Sequence, residues 1–229
     1  MEISKRLKCI ANMIENCDVV ADIGTDHGYL PIYLIKEGKC KRAIASDINN
    51  GPIEKAKFNI NLEGMGKLIQ CRLGAGFSSI NTNEADVGVI AGMGGNLIKD
   101  IIEDGIEVFK KFDYVILQPV QNPEVIRKYL VEKGFEIIDE ELCMDENKYY
   151  EIIKVKYNNI KKEEEDIFYE ISPLLLKKKH PLIKEYICIK IQKYDKILNS
   201  IIDQGVLAQN RKVLLGKKIE KLEGMLKCL

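Results

Sequence analysis

The chain has 229 residues, room for one α/β domain and a smaller appendage. Its 46% hydrophobic and 31% charged content excludes a disordered or fibrous protein. The formal net charge of zero hides an asymmetry: residues 1–159 hold 20 basic against 25 acidic side chains, and residues 160–229 hold 15 against 10. A basic appendage suits a polyanionic partner, and equally a solvated helical face.

Leu7, Ile10, Ala11 and Ile14 fall at helical spacing and predict a first helix over Ser4 to Glu15. Asp18 to Ile23 reads as a buried strand that stops at Gly24, and Tyr29 to Glu37 as a helix closed by Gly38. The alternation continues with strand Arg42 to Ser46, helix Pro52 to Leu62, and strands Leu68 to Leu73 and Val87 to Ala91. Helix Leu97 to Phe109, strand Tyr114 to Leu117 and helix Pro123 to Glu132 follow. Pro52 and Pro123 sit in first helical turns, where a missing N–H costs nothing. Strands alternating with helices call for a parallel sheet covered on both faces.

After Gly134, Phe135 to Leu142 and Tyr149 to Val155 are two strand-like runs joined through the turn-like Met144 to Lys148, an antiparallel hairpin at the sheet edge. A Rossmann-like α/β sheet finished this way has the architecture of class I methyltransferases. From Ile160 onward strand signals cease. Pro173 to Leu176 is a short apolar patch, His180-Pro181 breaks the chain, and helices span about Leu182 to Ile202 and Leu207 to Leu226. Ile183, Ile187, Ile191, Tyr194, Leu198 and Ile201 form the seam of a coiled-coil-like helical hairpin, with Val213, Leu214, Ile219, Leu222, Met225 and Leu226 as the facing side. The expected division is residues 1–159 and a helical, basic domain of residues 160–229.

Seven cysteines (Cys9, Cys17, Cys40, Cys71, Cys143, Cys188, Cys228) are scattered with no C-x-x-C pair and no neighbouring His. Neither a metal site nor a disulfide framework is expected, and reduced thiols in a cytoplasmic protein fit best. Residues 1–6 lack the apolar core of a signal peptide, and no apolar run approaches membrane-spanning length, so no membrane association is expected.

Ligands of an open parallel sheet bind beyond the C-terminal strand ends, where the strand order reverses. The first strand ends in Asp22-Ile23-Gly24-Thr25-Asp26-His27-Gly28. Gly24 and Gly28 would let backbone approach a cofactor, and Asp22 could receive an ammonium; a structural turn is the plain alternative. Asp47 ends the second strand, placed to accept from ribose hydroxyls or simply to start a helix. Gly74-Ala75-Gly76 and Gly92-Met93-Gly94-Gly95 end the third and fourth. So many glycines at successive strand ends favour a bound adenosine-containing ligand. After the fifth strand, Gln118 carries an amide able to read a base edge, and Pro119 fixes the rim; turn residues are the alternative.

DIGTDHGYLP at residues 22–31, followed by Asn50-Gly51-Pro52, Ile90-Ala91-Gly92-Met93-Gly94-Gly95 and Leu117-Gln118-Pro119, resembles the bacterial tRNA (adenine(22)-N1)-methyltransferase family. The order and spacing match throughout residues 1–157, and the basic helical region fits the family's extension more loosely. The resemblance implies an enzyme dependent on S-adenosyl-L-methionine (SAM) that methylates N1 of a D-loop adenosine in tRNA. It implies a SAM pocket formed by Gly24, His27, Gly28, Asp47, Ile48, Gly74, Ala75, Gly76, Gly92 and Met93. The family usually has Gly-Asp-Gly where this chain has Gly74-Ala75-Gly76. Alanine cannot accept from the cofactor's adenine amine, so weaker SAM binding is expected unless a backbone carbonyl, Asn81 or Asn83 substitutes.

Asp26 is the candidate catalytic carboxylate, accepting from the substrate's N6 amine while His27 holds the loop; the alternative is that Asp26 caps the helix behind it. Lys177, Lys178, Lys179, Lys184, Lys190, Lys193, Arg211, Lys212, Lys217 and Lys218 are candidates for phosphate contacts on tRNA. The competing functions are a non-catalytic RNA-binding protein on the same fold and a SAM enzyme acting on a small molecule or protein. An NAD dehydrogenase is disfavoured because G-x-G-x-x-G is missing. Oligomeric state is open, with a monomer as the default.

Overall fold

The computed structural model describes residues 2–203 and 205–229, which divide into two compact units, one ending at Glu164 and the other Glu165–Leu229. In the first unit α1 (Lys5–Asn12), β1 (Cys17–Ile23), α2 (Tyr29–Lys36), β2 (Cys40–Asp47), α3 (Asn50–Leu62) and β3 (Ile69–Leu73) alternate. A 3-10 turn at Gly76–Ser79 precedes β4 (Val87–Gly94), α4 (Gly95–Asp104), α5 (Ile106–Phe109), β5 (Tyr114–Gln121) and α6 (Pro123–Glu132), and the hairpin β6 (Phe135–Asp145) and β7 (Lys148–Tyr157) completes the unit. The strand order is β3-β2-β1-β4-β5-β7-β6, parallel up to β5 and antiparallel at β7 and β6. The order reverses between β1 and β4.

The run Val19-Val20-Ala21 in β1 is apolar without alternation because both sheet faces are covered. Val20, with Ala43, Ala45, Val89 and Ile116, packs against Ile10, Ile14, Leu30 and Ile60 from α1, α2 and α3 and their flanks. Val19, Ala21 and Ile23 face the other way and pack with Ile98, Ile102, Ile126 and Leu130 from α4 and α6. Neighbouring strand residues thus feed opposite cores, as a period of two requires.

Several expected boundaries shift. β4 continues through Gly92 to Gly94, its pairing with β5 broken by register shifts around Met93; such bulges re-aim side chains near sites. The helix expected over Leu97 to Phe109 breaks at Gly105, where a side chain would stand 2.5 Å from Phe77. The hairpin turn is only Glu146-Asn147, at φ 47° and 59°, the left-handed pair that a two-residue turn demands. Arg127 of α6 is buried against this hairpin, donating to Glu140 at 2.7 Å and to Glu151 at 2.5 Å.

In the second unit the apolar patch at Pro173 proves helical: α7 (Asp166–Glu170) and α8 (Pro173–Lys177) lead into α9 (Ile183–Ser200) and α10 (Val206–Lys227). α9 packs against α10, burying Ile183, Tyr186 and Ile187 on one side and Leu215 and Leu222 on the other. The expected Val213 and Leu214 are 56% and 62% exposed. Leu215 and Leu222, one heptad apart, occupy the seam, and residues one or two positions earlier turn away from it. Among the described residues no helix is long and apolar enough to cross a membrane.

Candidate active site

Among the described residues, two cavities lie beyond the strand ends of the first unit. The larger, about 600 Å³, is lined by Asp22, Gly24, Thr25, Asp26, His27, Tyr29, Asp47, Gly92 and Met93, and by Arg6 and its neighbours in and before α1. The second, about 390 Å³, is lined by Gly24, Asp47, Ile48, Gly74, Ala75, Gly76, Met93, Leu97, Asp100, Ile101 and Asp104. Gly24, Asp47 and Met93 border both, so the two form one elongated cradle at the reversal of strand order, where a ligand is expected.

The β1 loop is pinned to β2, since the Gly24 and Thr25 amides both donate to the Ser46 carbonyl, at 2.8 and 2.9 Å. Gly24 has φ +79°, a conformation that a β-carbon disfavours. The Met93 methyl fills the position where that carbon would stand. Asp22 is only 5% exposed. Burial pushes its carboxyl up to about 6, with Asp47 adding to the rise and Thr25 and Arg6 opposing it. One oxygen of Asp47 accepts from the Asn49 amide at 2.8 Å, which fixes the carboxylate at the end of β2.

Asp26 sits in the left-handed region at φ 50°, with its side chain 67% exposed and its carboxylate 3.4 Å from His27 Nε2. The residue capping α2 is Gly28, and no side chain completes the cap. Asp26 is therefore not the helix cap that the alternative reading required. The His27 ring stacks on Tyr29 at 5.1 Å, and its carbonyl accepts from Asn59 Nδ2 at 2.9 Å, so the loop is held from α3.

Gly28 borders neither cavity; a side chain there would meet Ala56 at 3.3 Å, and its smallness serves the approach of α3. Gln118 is fully buried, and its Oε1 accepts from Arg6 Nη1 at 2.6 Å while its Nε2 donates to the Pro119 carbonyl at 2.9 Å. This corrects the expectation that Gln118 reads a base edge: it points into the fold, where it engages Arg6. Pro119 is likewise buried. Asn81 is held by Glu84, and neither Asn81 nor Asn83 borders the cavity at Ala75; the carboxylates there are Asp47, Asp100 and Asp104. Arg6, Thr25 and Tyr29 at the larger cavity, and Leu97, Asp100, Ile101 and Asp104 at the smaller, are among the lining residues that sequence reasoning passed over. Arg6 carried no signal, because an arginine on an amphipathic helix reads as solvated.

In the second unit Lys177, Lys178, Lys179 and Arg211 are exposed, Lys212 is half-buried, and Lys190 lies over the Tyr186 ring at 5.1 Å. Lys218 leaves the set of phosphate-contact candidates, because it is paired with the buried Glu170.

Strand order, the terminal antiparallel hairpin and a glycine-lined cradle with an acid at the end of β2 define a class I, Rossmann-like methyltransferase. A family model described as tRNA (adenine(22)-N(1))-methyltransferase matches residues 20–224. The chain belongs to that family. The tRNA (adenine(22)-N(1))-methyltransferase of Bacillus subtilis is 32% identical, the match covering 97% of this chain and 96% of that protein. Sp1610 of Streptococcus pneumoniae, solved in complex with S-adenosyl-L-methionine, is 30% identical with a TM-score of 0.87 over 98% of this chain and 100% of that one. The M. capricolum protein TrmK, solved with S-adenosyl-homocysteine (SAH), is 28% identical with a TM-score of 0.84 over 97% of this chain and 99% of that one.

Proposed function

We propose that this chain methylates N1 of the adenosine at position 22 of tRNA with SAM as the methyl donor. The observation that carries the proposal is the elongated cradle of two cavities that share Gly24, Asp47 and Met93, in a chain of this family. The residues present fit SAM. Asp47 suits ribose hydroxyls, Ile48, Leu97 and Ile101 give apolar flanks for an adenine, and Asp22 suits an ammonium. When bound, SAM supplies an electrophilic methyl group on a sulfonium.

The chain's task is then alignment and charge. Adenine N1 has a free lone pair and needs no base to deprotonate it, so holding it in line is the larger part of the work. The methylated base is cationic. Asp26, exposed at the cavity and left without a capping role, accepts from the N6 amine and stabilises that charge as it develops. N1 lies on the Watson–Crick edge, so the base enters unpaired, which a loop adenosine does most readily. The exposed basic residues Lys177, Lys178, Lys179 and Arg211, with Lys190 and Lys212, contact tRNA phosphates from the second unit.

The test is to incubate the protein with labelled SAM and unmodified tRNA, then map the modified nucleoside and its position. Label at N1 of adenosine 22 is the expected result. No transfer to tRNA, or transfer to another atom or position, would overturn the proposal.

A further inference from the structure

α10 carries apolar side chains on two opposite faces. Leu215 and Leu222, one heptad apart, are buried on the side that packs against α9. Val206 precedes Leu215 by nine residues and Val213 precedes Leu222 by nine, which is two and a half turns, so both valines point directly away from that seam. Leu207 and Leu214 stand next to them and repeat at the same heptad interval. All four are open to solvent: Val206 is 77% exposed, Leu207 85%, Val213 56% and Leu214 62%. Single exposed hydrophobes need no explanation, whereas four in one stripe at heptad spacing form the kind of surface that a further helix packs against.

The stripe is symmetric about Asn210. Val206 and Leu214 lie four positions before and after it, and Leu207 and Val213 three before and after. Two copies laid antiparallel across Asn210 therefore match Val206 with Leu214 and Leu207 with Val213, apolar on apolar, and bring the two Asn210 amides together, where each can both donate and accept. The same register carries the exposed Asp203, seven positions before Asn210, to the end of the second copy where the exposed Lys217 lies, seven positions after it. Symmetry repeats that charge pair at the other end. A parallel pairing would instead set Lys217 beside Lys217 and Asp203 beside Asp203, and an RNA backbone offers phosphates, with which these four branched side chains have nothing to exchange. We propose that the outer face of α10 is a self-association surface, on which two copies of this chain pair antiparallel through Val206, Leu207, Val213 and Leu214, in the order α9-α10-α10-α9. One stripe on one helix is at the small end of interface sizes, so the association is weak and reversible.

Sedimentation equilibrium on the full chain, at concentrations from micromolar to near millimolar, tests it. The unmodified chain is expected to form a dimer with a Kd on the order of 10–100 μM and no larger species, because a twofold pairing is closed. Val213→Gln combined with Leu214→Gln should weaken the dimer by about tenfold or more. Both side chains are exposed, so helix content by circular dichroism should hold in that variant. Asp203→Lys should weaken the dimer by about threefold, and adding Lys217→Asp should bring it back to within about twofold of the unmodified chain. A chain that stays monomeric throughout, or a dimer indifferent to the two glutamines, would overturn the proposal. Loss of the dimer with the glutamines but no rescue by the reversed charge pair would overturn the antiparallel register. A monomer whose tRNA affinity falls with the glutamines would assign the stripe to RNA and overturn the proposal as well.

Discussion

The Asp26 carboxylate lies 3.4 Å from His27 Nε2 at the larger cavity, on backbone that is left-handed at Asp26 and outside the cap of α2. Asparagine tolerates that backbone and keeps the shape while removing the charge. Asp26→Asn is expected to lower methyl transfer by about a hundredfold or more, the range seen when a group that stabilises transition-state charge is removed, while SAH affinity stays within about threefold. Single-turnover transfer to tRNA and calorimetry with SAH read the two separately. Undiminished transfer would remove Asp26 from the chemistry.

Asp22 gives the site a pH dependence of defined sign. Its carboxyl in the fold is pushed up to about 6, above the ordinary value of 3.8. Between those values the folded chain holds a proton that the unfolded chain has released, so this group's contribution to stability grows as pH falls through the window and is lost as pH rises through about 6. Ammonium binding needs the carboxylate and runs the opposite way. SAH affinity should fall by up to about tenfold per pH unit below the Asp22 pKa, and Asp22→Asn should flatten the profile. Calorimetry on either side of pH 6 measures it; an unmodified protein with a flat profile would count against Asp22 as the ammonium ligand.

Ala75 borders the smaller cavity beside Asp100 and Asp104. Ala75→Asp restores the acceptor that the family resemblance leads one to expect, and should strengthen SAH binding by about threefold to tenfold, the value of one net hydrogen bond. The gain should vanish with S-inosylhomocysteine, which lacks the adenine amine. An equal gain for both ligands would trace the effect to something other than that amine.

The basic residues of the second unit act through phosphate charge if they bind tRNA. Combined Lys177→Gln, Lys179→Gln and Arg211→Gln should weaken tRNA binding and reduce the slope of log affinity against log salt by about 0.7–0.9 for each phosphate no longer neutralised. Filter binding across a salt series, with SAH calorimetry as the control for the other unit, separates this from misfolding. An unchanged slope would assign the tRNA surface elsewhere.

Element types in the first unit follow from apolar periodicity, and the division of Val19, Val20 and Ala21 between two cores shows why. Where partners decided, the pattern was silent. The glycines at 92 and 94 read as the end of a strand, yet β4 runs through them because β5 accompanies it around the bulges. Gly105 broke a helix that periodicity carried onward, and the room for a side chain there is taken by Phe77, distant in sequence. In α10 hydrophobic residues lie on several sides, so sequence could not choose Leu215 over Val213 and Leu214. That the strand-end residues Asp22, Gly24, Asp47 and Met93 line the cavity was legible because the crevice of such a sheet opens at its strand ends. Gln118 was legible in position and misread in direction, and Arg6 came from a helix outside that rule.

Buried beneath α6, Arg127 has a consequence for how the sheet edge assembles. Glu140 stands opposite Ile153, and Glu151 opposite Leu142, so the two acids lie diagonally on one face of the hairpin where Arg127 meets both. The turn Glu146-Asn147 has no glycine to favour its left-handed backbone, and the ladder already shifts register between Ile137 and Asp139. A slip of one residue in either strand would carry its glutamate to the opposite face and leave a buried charge without its guanidinium, a loss of about 3–5 kcal/mol. The three side chains thereby serve as a register gauge for the last strands to be made, rejecting misaligned hairpins that their apolar neighbours alone would accept.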